Sequence, residues 1–373
     1  MDDLLAAGIT PFITLFHWDV PQGLEDRYGG LLNKEEFVAD FAHFARIMFD
    51  AIPKCKHWIT FNEPFCSAIL GYNIGVFAPG RTSDRTKSKE GDSAREAWIV
   101  GHNILVAHGH AVKIYREEFK PRNGGEIGIT LNGDATYPWD PEDPDDVAAA
   151  ERKLEFSIGW FADPIYHGDY PSSMRAQLGS RLPTFTNEEI ALVKGSNDFY
   201  GMNHYTANYI RHKTTPPEEN DFLGNLESLS YDKEGKCIGP ETQSVWLRPN
   251  SRGFRNLLNW ISNRYSRPKI YVTENGTSIK NENSLSREEI LNDEFRVNNF
   301  RGYVAAMADA VEKDGVDVKG YMAWSLLDNF EWADGYETRF GVTYVDYGGG
   351  QKRWPKKSAL VLKDIFGGLI QKE

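Results

Sequence analysis

Residues 269–276 read KIYVTENG. Isoleucine, tyrosine, valine and threonine in succession favour a β-strand, and Glu274, Asn275 and Gly276 stop it. A short, near-continuous apolar run fits a strand buried on both faces. A carboxylate at its end has no packing reason to be there. The same pattern recurs along the chain. ITPFITLF at 9–16 ends on His17, Trp18 and Asp19. KHWITF at 56–61 ends on Asn62, Glu63 and Pro64. The run 127–131 ends on Asn132, Gly133 and Asp134, and the run 198–202 on Asn203, His204 and Tyr205. The run 318–324 leads into Ser325, Leu326, Leu327, Asp328 and Asn329.

Helical periodicity fills the intervals. Phe37, Phe41, Phe44, Ala45 and Met48 share one face of a helix over 37–49. Further helices are expected over 94–119, entered by Ser93 as N-cap, and over 147–161, 254–265 and 294–313. Strands alternating with helices imply parallel pairing. No G-x-G-x-x-G follows a strand and no P-loop occurs, which disfavours an open nucleotide-binding sheet. Polar residues at the C-terminal end of every strand are the habit of a (β/α)8 TIM barrel. Eight strands are needed and six are counted. MDDLLAAGI at 1–9 reads as the last turns of a helix stopped by Gly8. The expectation is therefore one catalytic barrel domain over 1–373 with its first two βα units missing. The polar stretch 213–242 is expected to be a long excursion on the catalytic face.

The chain has 373 residues and a net charge of −12, which argues against nucleic-acid or anionic membrane partners. No apolar run approaches the ~18–20 residues of a membrane span. Cys55, Cys66 and Cys237 lie far apart and form no C-x-x-C pair. The chain contains 21 Phe, 17 Tyr and 10 Trp; such rings build cores and also sugar-binding platforms. His102 and His108 are six apart on a helix, which is not metal-ligand spacing, and are expected to be structural.

If the strands of 56–61 and 269–273 share one barrel, Glu63 and Glu274 face each other in its mouth. Two opposed carboxylates are what glycoside hydrolysis needs: one protonates the leaving oxygen, the other attacks the anomeric carbon or activates water against it. A lone strand-end glutamate is more often a loop charge. A matched pair, each beside an asparagine, is not the usual salt-bridge pattern.

At LFHWDVPQGL, TFNEP, GMNHYT, IYVTENG and AWSLLDNFEWADGY the sequence resembles glycoside hydrolase family 1, the β-glucosidases, and looks most like the fungal members. The resemblance runs over the whole chain. It implies that Glu63 is the general acid/base and Glu274 the nucleophile of a retaining double displacement on terminal β-D-glucosyl residues of cellobiose and of aryl or alkyl β-glucosides. It further implies that Asn62 holds the sugar 2-hydroxyl and that His17 binds the 3-hydroxyl. Tyr205 would bond the nucleophile and Asn203 would order the site. Glu331 would grip the 4- and 6-hydroxyls, with Trp332 on the same ring. Trp324 would form the platform under the sugar, and Phe340 would close the inner wall. The substrate would be a β-glucoside or cello-oligosaccharide, with no cofactor or metal. The acid at Glu331 points to a non-phosphorylated sugar, because a 6-phosphate would be repelled.

The mechanism asks for a Glu63 with raised pKa and an ionised Glu274, held by donors such as Tyr205 or an arginine. The family's first-strand glutamine and second-strand arginine are not in this sequence, so a fragment inactive by itself is one expectation. A transglycosylase and a non-catalytic glycan-binding relative are the alternatives. Cys66 either lines the leaving-group channel or is a small buried residue. The one usable-looking sequon, Asn275-Gly276-Thr277, sits inside the catalytic motif, and with the cysteine pattern this favours a cytoplasmic location.

Overall fold

The computed structural model describes residues 1–369. Eleven strands occur in chain order: β1 (Phe12–Phe16), β2 (His57–Asn62), β3 (Glu126–Asn132), β4 (Ala135–Pro138), β5 (Tyr200–Asn203), β6 (Ala207–His212), β7 (Leu226–Leu229), β8 (Ile270–Asn275), β9 (Val318–Ala323), β10 (Thr343–Asp346) and β11 (Lys352–Pro355). Six of them form one sheet in the order β1-β2-β3-β5-β8-β9, with every pair parallel. These are the six runs expected from the sequence.

The sheet curls. Phe12 on β1 and Tyr271 on β8 are four places apart in the strand order, yet their rings meet edge to face at 4.9 Å. Phe199 closes the same cluster, 5.2 Å from Tyr271. A flat sheet would hold the two strands near 19 Å apart, at ~4.8 Å per step. The curl is that of the (β/α)8 barrel architecture, with β1 and β9 at the two ends of the arc and no pairing between them among the described residues. The inner strands β2, β3 and β5 are almost wholly buried, whereas β9 is only half-buried.

The helices cover the outer face. Helix Lys34–Ala51 starts on Asn33, whose side chain accepts from Glu36 N, and buries Phe37, Phe41, Ala45 and Phe49. Phe44 falls off that face and is 40% exposed, against expectation; spacing by four selects Phe49 instead. Helix Glu96–Ile114 is buried nearly all round. Ser93 does not cap it. Arg95 holds that position, and the Ser93 hydroxyl donates to the Asn73 carbonyl at 2.6 Å. His102 and His108 are buried on this helix and bond Tyr170 at 3.0 Å and Thr60 at 2.7 Å, as structural histidines do. Helix Pro144–Leu154 passes through a wider turn at 155–159 into Trp160–Tyr166.

Two features lie outside the sequence reading. β4, β6 and β7 form a three-stranded side sheet, so the excursion at 213–242 carries regular structure. β10 and β11 form an antiparallel hairpin. These strands are four to six residues long, and β4 and β11 end on proline, which blunts the alternation signal.

Candidate active site

The strand ends bring the expected residues to one cleft. Glu63 follows β2 in a left-handed conformation, φ +46°, immediately before the helix Pro64–Tyr72. Its amide donates to the Thr130 carbonyl on β3 at 2.9 Å, which fixes the turn. Trp18 and Trp332 also have positive φ. Non-glycine residues rarely adopt this region, and such strain gathers at sites where geometry is over-determined.

A hydrogen-bond chain crosses the sheet beneath the cleft. Thr130 on β3 donates to Thr273 on β8 at 3.2 Å, and Thr273 donates to Asn203 Oδ1 at 2.6 Å. Asn203 Nδ2 then serves two acceptors, Asn62 Oδ1 at 3.0 Å and Glu63 Oε1 at 2.6 Å. With its carbonyl occupied, Asn62 points its amide at His17 Nε2, 3.2 Å away. Burial holds His17 below the usual histidine range, so the ring is neutral near pH 7. Nε2 accepts from Asn62, and the ring proton is left on Nδ1. The Trp18 indole N–H donates to the Asn62 carbonyl at 3.0 Å. Every rotor in this chain is therefore specified by its neighbour.

The two carboxylates differ in their partners. Glu63 is buried, 6% exposed; Asn203 serves one oxygen and the Cys66 thiol donates to the other at 3.2 Å. Burial pushes Glu63 above the usual carboxylate range, and the negative Asp134 adds to it; Asn203 and Cys66 oppose. Glu274 accepts from the Tyr205 hydroxyl at 2.6 Å. Burial again leads, and the charges of Glu63 and Glu331 push in the same direction. Tyr205 and Asn203 oppose this but do not reverse it. No lysine or arginine pairs with Glu274 among the described residues. Of the donors expected to hold Glu274, Tyr205 is in place and no arginine reaches it among the described residues. Both carboxylates are thus pushed towards the protonated form, Glu274 by burial and by the charge of Glu63.

The remaining expected residues line the same cleft. His17 lies flat against Trp332 at 5.8 Å and against Trp324 at 6.3 Å. Trp18 and Phe77 extend this wall, with rings 4.6 and 6.1 Å from Trp332. Phe340 is buried and meets Tyr205 edge to face at 6.0 Å. Glu331 is pushed up to about 7, first by burial and then by the negative charges of Asp334 and Glu63. All ten expected site residues thus gather at the C-terminal ends of the strands.

Others were not singled out as site residues. Cys66, offered above as channel lining or buried filler, bonds Glu63 directly. Trp18 fixes Asn62; its place inside H-W-D was the available signal. Asp134 ends β3 in the same pattern as Glu63 ends β2. Buried Lys153 tempers its charge, with its ammonium 5.5 Å from the Phe65 ring centre. Lys153 comes from a helix, so no strand-end pattern marks it.

Comparison with known proteins supplies an independent line. The sequence model of glycosyl hydrolase family 1 matches residues 1–368. Beta-glucosidase 1B of Phanerodontia chrysosporium is 54% identical over 367 residues, covering 98% of this chain and 67% of that protein. A family 1 β-glucosidase from the fungus Humicola insolens, solved in complex with glucose, is 74% identical with a TM-score of 0.99, covering 100% of this chain and 78% of the other. Beta-glucosidase 2 from Trichoderma reesei, solved with Tris, is 66% identical with a TM-score of 0.95 over the same shares. With strand ends, cleft and relatives in agreement, the chain belongs to glycosyl hydrolase family 1.

Proposed function

We propose that the chain is a retaining exo-β-glucosidase, with Glu63 as acid/base and Glu274 as nucleophile. The observation that carries this reading is the pair itself. Two buried carboxylates from separate strands open on one cleft, one held by an amide and a thiol, the other by a phenol. Burial raises both carboxylates, and in this reading the proton sits on Glu63, ready to pass to the glycosidic oxygen. Glu274 is the carboxylate that attacks the anomeric carbon, with Tyr205 holding the oxygen that does not attack. Once Glu274 is esterified its charge is gone, the pKa of Glu63 falls, and Glu63 can take a proton from water in the second step.

Asn62 and His17 supply donors for the 2- and 3-hydroxyls, Glu331 an acceptor for the 4- and 6-hydroxyls, and Trp324 with Trp332 the apolar faces. Trp246 is 56% exposed beside Tyr205, and Leu326 and Phe330 are exposed on the loop that carries Glu331. The exposed indole of Trp246 next to Tyr205 suits aryl and alkyl leaving groups as well as the second glucose of cellobiose and short cello-oligosaccharides.

The test is turnover of an aryl β-glucoside with Glu63→Ala and Glu274→Ala. Each variant is expected to lose at least ~10³-fold in kcat. Azide is expected to restore turnover, giving the β-glucosyl azide with Glu63→Ala and the α-anomer with Glu274→Ala. Wild-type-like rates in either variant would remove it from the mechanism.

A further inference from the structure

Behind the cleft lies a buried cluster of six charges. Arg296, Lys356 and Arg339 face Glu282, Asp293 and Asp328, and none of the six is more than 7% exposed. It falls into two halves. In the first, Arg296 pairs with Glu282 at 2.9 Å and Asp293 at 2.8 Å, and its Nε donates to the carbonyl of Thr277, three residues after Glu274. In the second, Arg339 pairs with Asp328 at 2.6 Å, and Asp328 also accepts from Gly341 N at 3.0 Å. Asp328 and Arg339 flank Glu331 and Trp332 in sequence, so this half anchors the loop that carries them. Lys356 is the side chain that ion-pairs with both halves, at 2.8 Å to Glu282 and 3.0 Å to Asp328. Its own amide donates to the Val342 carbonyl at 2.8 Å, on the same loop.

We infer that Lys356 is a positioning residue, a brace that sets the Glu331 loop against the Glu274 strand and thereby selects sugars carrying a C6 hydroxymethyl group. Buried ion pairs contribute little net stability, because desolvation offsets attraction, yet they accept few alternative geometries. Lysine between two carboxylates fixes the spacing of both. In Lys356→Met each carboxylate keeps an arginine and Arg296 Nη2 still donates to the Arg339 carbonyl at 3.0 Å, so the halves survive and what goes is the charged link between Glu282 and Asp328. The inference rests on the reading of Glu331 as the 4- and 6-hydroxyl clamp.

The experiment compares kcat/KM for an aryl β-glucoside and the matching β-xyloside, which lacks C6, in the full chain. The folded fraction cancels in this ratio, so a purely structural effect does not move it. Lys356→Met is expected to lower the glucoside-to-xyloside ratio about fivefold, mostly through a higher KM for the glucoside. Ser358→Ala removes a buried bond to Asp293 that does not join the halves, and is expected to lower thermal stability with the ratio unchanged. If Lys356→Met does not fold, Asp328→Glu decides: it keeps every charge and shifts the loop by one methylene, and the ratio should again fall. An unchanged ratio in the folded variant, or an equal fall in Ser358→Ala, overturns the inference. Glu331→Gln separates the two levels. If it collapses the ratio while Lys356→Met does not, the brace fails alone. If it leaves the ratio intact, the reading of Glu331 fails and the brace falls with it.

Discussion

Glu331 shows what a sugar site asks of a single residue. Its pKa rises from 4.5 to about 7 because the carboxylate is half-buried near two other negative groups. The native state therefore binds this proton more tightly than the unfolded chain does. That contribution to stability is complete below pH 4.5 and is lost as the pH climbs through 7. Glu331→Gln should accordingly stabilise the fold at pH 8 by roughly 1–2 kcal/mol, after discounting for the open side of the cleft, with the gain vanishing by pH 4. Urea titrations at the two pH values measure it; equal gains at both would sink the argument. The same variant should bind glucosides more weakly, the usual trade between stability and function. The sequence was informative wherever a residue closed a strand: Glu63, Glu274, Asn203 and His17 each follow or end a strand, and the structure gathers them on one hydrogen-bond network. Cys66 was left between two readings, and Lys153 was not marked at all, because its contacts depend on where its helix lands and not on a local pattern.

At the level of elements, β8 and the segment after β9 meet backbone to backbone. Trp324 N donates to the Asn275 carbonyl at 2.8 Å, and a Cβ on Gly276 would stand 1.9 Å from the Trp324 carbonyl oxygen. Only glycine lets the Glu274 strand approach the Trp324 segment this closely. Gly276→Ala is expected to cost ~1–3 kcal/mol and to push the Trp324 platform away from Glu274, so kcat/KM should fall more than the folded fraction does. Activity normalised to folded protein, followed beside thermal melts, separates the two; a normalised rate equal to wild type would contradict the close-approach account. The six strands of the main sheet were legible because short, largely apolar runs rich in β-formers each break off on polar residues. β4, β6 and β7 were not, because short strands in polar surroundings, one of them closed by a proline, carry little periodic signal. The N-cap at Ser93 was misread for a related reason: serine also bonds backbone in loops, and here the Asn73 carbonyl captured it.

For the molecule as a whole, the sheet is an arc whose inner strands are covered and whose end strands keep one open side among the described residues. Unpaired backbone along β1 and β9 should exchange its amide hydrogens faster than β3 and β5, by about 10²-fold or more. Hydrogen exchange with peptide-level readout tests this. Protection of β1 equal to that of β3 would mean that its free edge has found a partner. The parallel alternation and the barrel family were readable from the chain alone. The curl follows from that barrel reading, but the contacts that hold it, such as Phe12 on Tyr271, join residues far apart in sequence and could not be named from it. The charge cluster around Lys356 was equally hidden, because its members come from four separate segments.

The aromatic wall of the cleft has an optical consequence. Trp18, Trp246, Trp324 and Trp332 are four of the ten tryptophans, and all stand at or beside the site. Trp58, Trp98 and Trp160 are sealed in the core and contribute a constant background. A sugar entering the cleft strips water from the first group and leaves the second untouched. The protein thus carries its own unlabelled reporter of occupancy, written in the colour of its ultraviolet emission.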